Sequence, residues 1–388
     1  MHTDKLLHKW LSEVLPEMHK SRLRALSAVV AGALRGGRLT VTGLGRSILS
    51  AAKEKHSIKR ADRLLANQHL QSERVSAYFQ IANVIVGNTK QPVILVDWSD
   101  VDARRKFFLL RAAIPVKGRS LTIYEEIHNC STREKQATHN QFLENLKAIL
   151  PPDCKPIIVT DAGFRVPWFK KVRALGWDFV GRIRGRTMVS KTEKTGWKRA
   201  KLLYSRATTK PKRMIETFLT RSNSLCCTLV LFKSKPKKRK RLGKMGKRSR
   251  SRTSLVNSAR AREPWLLATS LETLPHAVVK IYSKRMQIEE SFRDLKCPRY
   301  GLSLYFNNTY KIERLKVLLL IGTLAAIFAY LLGKTATVLG LHRQFQANTE
   351  KRYPVLASFF IGLQFFRRHL NCISIDSFKQ ARLQPLQH

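Results

Sequence analysis

The chain reads as an α/β protein: a core with a mixed sheet and helices, interrupted by a β-rich insertion and flanked by helical N- and C-terminal regions. Three observations lead there. Residues 92–186 alternate short apolar runs with amphipathic stretches, and two of those runs end in aspartate, at Asp97 and Asp161. Residues 187–272 change to strand-like pieces around a strongly basic block. Residues 1–90 and 340–388 carry apolar residues at helical spacing with basic residues between them.

The chain has 388 residues, 44% of them hydrophobic, which suffices for two or three domains and excludes a disordered chain. Lys and Arg number 73 against 26 Asp and Glu, a formal charge of +47. Such an excess points to a polyanionic partner, because neutralised phosphates release their counterions. Six cysteines (Cys130, Cys154, Cys226, Cys227, Cys297 and Cys372) show no C-x-x-C spacing, which argues against a zinc module and suits a reducing compartment. The N-terminus, MHTDKLLHKWLSEVL, lacks the continuous apolar core of a secretory signal. Residues 317–333, VLLLIGTLAAIFAYLLG, carry no charge and reach the short edge of a membrane span; basic sequence on both sides favours a helix buried in a domain, with no membrane partner.

The elements follow in order. Within the helical region of residues 1–90, KHSIKRADRLLANQHL sets Lys55, Lys59, Arg60 and Arg63 against an apolar stripe of Ile58, Leu64 and Leu65. The plain reading is a solvated basic face; the charge of the chain favours a helix laid along DNA through Lys59, Arg60 and Arg63. PVILVDWSD is a strand ending in acid, and KFFLLRAAIPVKGRSLTIYEEIH is a hairpin turning at Val116–Arg119. EKQATHNQFLENLKAIL is a helix, KPIIVTDAGF a buried strand ending in acid, VPWFKKVRALG a short helix closing on Gly176, and WDFVGRIRGR a strand. This order, β, β-hairpin, α, β, α, β, is that of an RNase H-like core, whose neighbouring central strands present carboxylates at one edge. MIETFLT and LCCTLVLFK are strands, residues 233–252 hold twelve Lys or Arg in a block that reads as solvated and phosphate-touching, and PWLLATS returns to strand. A helical signal from about Leu274 to Lys296 is interrupted near Tyr282, and the apolar helix follows. The expected divisions are a helical DNA-binding domain over 1–90, the core in two parts over 91–186 and 273–335, the β-rich insertion over 187–272, and a helical C-terminal region over 336–388 with a dimerisation role.

Phosphoryl transfer on DNA needs two divalent cations about 3.5–4 Å apart, one at the attacking and one at the leaving oxygen. Hard cations take carboxylate oxygens and substrate phosphates. Asp97 and Asp161, each after a run that buries its strand, are the first two candidates; either one alone would read as a turn or cap residue. The third acid should come from a neighbouring helix. With Tyr282 at zero and a continuous helix, Arg285, Glu289, Arg293 and Lys296 fall at about −60°, −20°, +20° and −40°, whereas Glu290 falls at about +80°. One acid among cations on one face selects Glu289 as a metal ligand, with phosphates beside Arg285, Arg293 and Lys296; Glu290 is left to pair with Arg293 or Lys296.

Tyr282-x2-Arg285-x3-Glu289-x6-Lys296 matches the YREK signature of the insertion-sequence-four group of bacterial cut-and-paste DDE transposases, and VDWSD and DAGFRVPWF resemble that group's first two acid motifs. The resemblance runs from about residue 20 to 350. It implies that Asp97, Asp161 and Glu289 are catalytic and bind two Mg²⁺ ions, with Mn²⁺ able to substitute, and that Tyr282, Arg285 and Lys296 contact the DNA backbone near the cleaved phosphate. Trp265 matches the position at which a related transposase stacks a flipped base, although core packing explains a lone tryptophan there equally well. The implied reaction is nicking of a transposon end, attack of the freed 3′-OH on the opposite strand to form a hairpin, hairpin opening and strand transfer into target DNA, by a homodimer in the bacterial cytoplasm, associated with the nucleoid. The rivals are an RNase H-like nuclease or resolvase without strand transfer, and a non-catalytic remnant that only occupies ends.

Overall fold

A computed structural model describes residues 2–102, 104–235, 251–252, 255, 263–350, 352–370 and 372–383. Most of the basic block, residues 236–250, and the last five residues lie outside the described residues.

The chain begins with five helices: α1 (Thr3–Val14), α2 (Lys20–Gly36), α3 (Val41–Arg46), α4 (Glu54–Leu65) and α5 (Gln68–Val86). Strands β1 (Val93–Asp100), β2 (Phe107–Val116) and β3 (Arg119–Asn129) follow, then α6 (Gln136–Ile149). Next come β4 (Ile157–Thr160), α7 (Val166–Ala174), β5 (Asp178–Arg182), β6 (Met188–Ser190), β7 (Lys198–Arg199), β8 (Lys212–Leu219), β9 (Leu225–Phe232) and β10 (Trp265–Thr269). The remaining helices are α8 (Pro275–Ser283), α9 (Met286–Lys296), α10 (Ile312–Val338), α11 (Ser358–Arg367) and α12 (Ile375–Leu383). The fold is mixed α/β, with the expected β, hairpin, α, β, α, β order over residues 93–182.

Two compact units divide it: residues 1–154 with 286–388, and residues 155–285. In the first, β1 and β2 are antiparallel, as are β2 and β3, whose tight turn uses Gly118 at φ 76°. Both hairpin strands are buried along almost their whole length, which explains their continuous apolar runs. One side is covered by α10. It is long and apolar enough to cross a membrane, yet 89% of its most apolar window is buried among α2, α5, α11, α12 and β3. The α10–α11 crossing is close because it is made on glycines: a Cβ on Gly333 would stand 1.8 Å from the Ser358 carbonyl oxygen, and one on Gly362 at 1.8 Å from that of Ala329.

In the second unit the strands run β4-β5-β10-β9-β8-β6-β7, with β4 and β5 parallel and the rest antiparallel. The strands after residue 187 therefore continue the sheet that β4 and β5 begin, joined through β10 beside β5.

One expectation needs correction. The segment from Leu274 to Lys296 is not a single helix: α8 ends at Ser283 and α9 starts at Met286, and the unit boundary falls at the same place. A helical wheel drawn from Tyr282 through Lys296 needs one unbroken helix, so the wheel by itself does not give Tyr282, Arg285 and Glu289 a common face. The wheel holds within α9, where Glu289, Arg293 and Lys296 lie one and two turns apart on one side.

Candidate active site

In the first unit, β1 is buried from Val93 to Val96 and half-buried from Asp97 to Asp100. Four apolar residues therefore anchor the strand, and the chain emerges at Asp97. Asp97 Oδ1 accepts from the Trp98 backbone N–H at 2.8 Å. The Trp98 indole N–H donates to His139 Nε2 at 3.1 Å and packs edge-on against His128, which holds the strand end against α6.

Across the ladder Asp97 faces Arg111, and Arg111 faces Glu125, so a carboxylate, a guanidinium and a carboxylate follow one another over β1, β2 and β3. Arg111 is buried and donates to Glu125 Oε2 from Nε at 2.8 Å and from Nη2 at 2.6 Å. Glu125 also accepts from the Tyr78 hydroxyl at 2.7 Å and the Thr323 hydroxyl at 2.8 Å. Four hydrogen bonds make this a satisfied buried pair, the condition under which one is tolerated. Neither residue stood out as part of a site; the signal was an Arg in FFLLRAAIPV and a Glu in SLTIYEEIH, charges inside strands otherwise apolar on both faces.

Helix α9 docks on this sheet through Ile288, Phe292 and Leu295, all buried. Its register is pinned by Ser291, whose hydroxyl accepts from the Ser120 N–H at 2.8 Å and donates to the Ser120 carbonyl at 3.0 Å, and by the Arg119–Asp294 ion pair. That docking carries Lys296 to β1, where Nζ donates to Ser99 Oγ at 2.7 Å. Burial holds the Lys296 pKa below its ordinary value; Asp100 and Asp97 oppose the shift and Arg111 adds to it. Lys296 thus stands within charge range of Asp97. Glu289 and Arg293 are exposed on α9, while Glu290 is half-buried, paired with Arg293 and 3.9 Å from Arg119.

In the second unit, β4 is buried throughout and Asp161 follows it, half-buried. Asp161 Oδ1 accepts from the Gly163 N–H at 2.7 Å, and a Cβ on Gly163 would lie 2.9 Å from that same oxygen. The glycine in DAGF is thus the space the carboxylate occupies. Tyr282 is buried, and burial raises its phenol pKa; Arg285 and Arg182 work against that shift and Asp161 with it, so four of the unit's charged or polar groups gather here. Arg182 was missed by the sequence reading; its signal was a cation closing the apolar strand WDFVGR. Trp265, half-buried at the start of β10, meets Tyr282 edge-on at 5.0 Å and Phe232 at 5.7 Å. The structure therefore brings Tyr282, Arg285 and Trp265 to the neighbourhood of Asp161 in one unit, and Lys296 to that of Asp97 in the other.

Lys59, Arg60 and Arg63 are exposed on α4 and line a cavity of about 500 Å³ with Ser21, Arg22, His56 and Asn67. Arg22 pairs with Glu73 and Arg60 donates to the Arg24 carbonyl at 3.2 Å.

The family model of the transposase DDE domain matches residues 88–326. The chain belongs to that family, whose enzymes cut and join DNA with divalent metal ions on an RNase H-like core. No curated protein matches the chain. The donor chemistry fits such ions: Asp97, at the start of the half-buried part of β1, and Asp161, just past β4, offer carboxylate oxygens, and Gly163 keeps the space beside one of them clear.

Proposed function

We propose that the protein is a cut-and-paste transposase of the insertion-sequence-four group, working on transposon ends and target DNA. The YREK spacing supports the group, and LTVTGLGR (39–46), KRADRLL (59–65), EPWLLAT (263–269) and FQANT (345–349) resemble the transposase of insertion sequence ten. Asp97, Asp161 and Glu289 are the catalytic acids and hold two Mg²⁺ ions, for which Mn²⁺ can substitute. When bound, the ions activate the attacking oxygen and stabilise the leaving one.

The chain's own residues do the rest. Lys296, held by Ser99 beside Asp97, clamps a phosphate of the strand being cut, and Arg293 adds a second cation one turn before it. Tyr282 and Arg285 do the same near Asp161. Trp265 takes a base turned out of the helix, which supports hairpin formation by the freed 3′-OH; its half-buried ring beside Tyr282 suits that role. Lys59, Arg60 and Arg63 grip end DNA along α4. The protein acts as a homodimer that synapses two ends, at the nucleoid of the bacterial cytoplasm, with residues 1–90 as the end-binding domain and residues 336–388 contributing dimer contacts.

The observation that carries this reading is the seating of Lys296 on Ser99 of β1, two residues from Asp97, which supplies a cation beside a carboxylate as a phosphate held next to a metal ion would need. An assay of paired-end complexes in Mg²⁺ tests it. Hairpins and strand-transfer joints are expected; cleaved free ends alone would indicate a nuclease, and complexes without products an end-binding remnant.

A further inference from the structure

The second unit carries a groove of about 540 Å³ that none of the roles above uses. Its floor is apolar, with Phe164, Val166, Phe169 and Ile183 all buried. Its rim is arginine. Arg165 precedes α7, Arg184 and Arg186 follow β5, and Arg221 lies in the turn between β8 and β9. All four are exposed, and among the described residues none of them pairs with a carboxylate, whereas nearby Arg182 is 3.6 Å from Glu263. Among the described residues no Asp or Glu lines the groove. Four guanidinium groups gathered without counter-charge repel one another, and an anion between them removes that cost.

Two local features aim these cations. Thr220 has φ 59°, a strained conformation for a β-branched residue. Its N–H donates to the Met188 carbonyl at 2.9 Å and its hydroxyl to the Asn223 carbonyl at 2.8 Å, so the turn that presents Arg221 is tied at both ends. Arg184 Nε donates to the Ala162 carbonyl at 2.8 Å, which fixes one end of the groove to the residue following Asp161. Helix α7 also begins in the groove, adding the positive end of its dipole.

We propose that this groove is a phosphate track that holds the sugar–phosphate backbone of a DNA strand beside Asp161 without reading its bases. Guanidinium forks match phosphate oxygens in geometry as well as charge. The aromatic floor is closed to base stacking, since Phe164 is 3% and Phe169 1% exposed. Contacts of this kind position DNA and carry no sequence information. The purpose assigned to the track, leading a strand to the reacting centre, rests on Asp161 being one of the catalytic acids; the binding itself does not.

The test uses the full chain in EDTA, with fluorescence anisotropy on two duplexes of equal length and unrelated sequence across a salt titration. The Arg186→Ala, Arg221→Ala double variant leaves the Arg184–Ala162 anchor in place. It is expected to bind both duplexes more weakly by the same factor and to flatten the plot of log K against log salt by about two, one per lost phosphate contact. A Lys135→Ala, Lys147→Ala variant removes the same charge from around α6 in the first unit and should leave the slope unchanged. An unaltered slope in the arginine variant overturns the proposal, as does weakening confined to one duplex. Should the alanine pair melt below the wild type, the Arg186→Gln, Arg221→Gln pair reads the same slope. Asp161→Asn is scored separately by cleavage in Mg²⁺, so failure of the acid assignment and failure of the track give different results.

Discussion

Glu289 and Glu290 are neighbours in α9 with different surroundings: one is exposed beside the Lys296 side of the helix, the other is engaged with Arg293 and near Arg119. Glu289→Ala should abolish cleavage in Mg²⁺ while leaving DNA binding intact by gel shift, because the proposed role of Glu289 is to hold a metal ion and not to contact a phosphate. Full cleavage by that variant would falsify its assignment. Glu290→Ala removes a surface pair of about 0.2–1 kcal/mol and should change cleavage less than tenfold. Gly163→Ala tests the space beside Asp161, where the added methyl would sit 2.9 Å from Oδ1. The carboxylate must turn away, so cleavage should fall by at least tenfold with the melting temperature nearly unchanged; wild-type turnover would show that the contact relaxes freely. Which acid follows an apolar strand was readable in the sequence. Arg111, which lies opposite Asp97 in the ladder, and Arg182, which acts with Asp161 on Tyr282, were not, because charge at one position in a strand does not say what packing places beside it.

The three-strand ladder of the first unit is held from within by the Arg111–Glu125 pair. Glu125→Gln leaves a guanidinium buried without its counter-ion, and should lower the free energy of unfolding by about 3–5 kcal/mol in a denaturant titration. A change below about 1 kcal/mol would mean that water replaces the carboxylate. The contact between β1 and α6 carries a pH dependence. Burial lowers the His139 pKa from 6.5 to about 4, with Glu134 opposing and His128 assisting. Between those values the unfolded chain takes up a proton and the folded chain does not, so stability falls as pH falls from 6.5 towards 4. His139→Gln should remove that part of the acid loss in thermal melts at pH 5 and 7; an identical slope in the variant would place the titration elsewhere. Elements were legible where periodicity was strong: the hairpin turn, the strand that Asp161 follows and the apolar helix all lie where their patterns put them, whereas β1 runs past Asp97 to Asp100. The break between α8 and α9 was legible only as an interruption, since nothing local in SKRMQ states where one helix stops and the next begins.

Across the molecule, a charge of +47 is the largest single feature, and it matches the DNA-acting family to which the chain belongs. Helix α10 shows how composition misleads when taken without its neighbours: its apolar length suits a bilayer, and the first unit buries it. The proposed homodimer is tested by sedimentation of the full chain with and without end DNA, where complexes of two chains holding two ends are expected, and complexes that all hold a single chain on a single end would refute synapsis by a dimer.

The order of elements along the chain, the acids that follow apolar runs, the basic helix face and the Tyr-x2-Arg-x3-Glu-x6-Lys spacing are local or periodic properties, so the sequence contained them. The row from Asp97 through Arg111 to Glu125, the seating of Lys296 on Ser99, and the four arginines around one groove depend on which strands and turns become neighbours. Those contacts join residues far apart in the chain, and packing, not spacing, decides them.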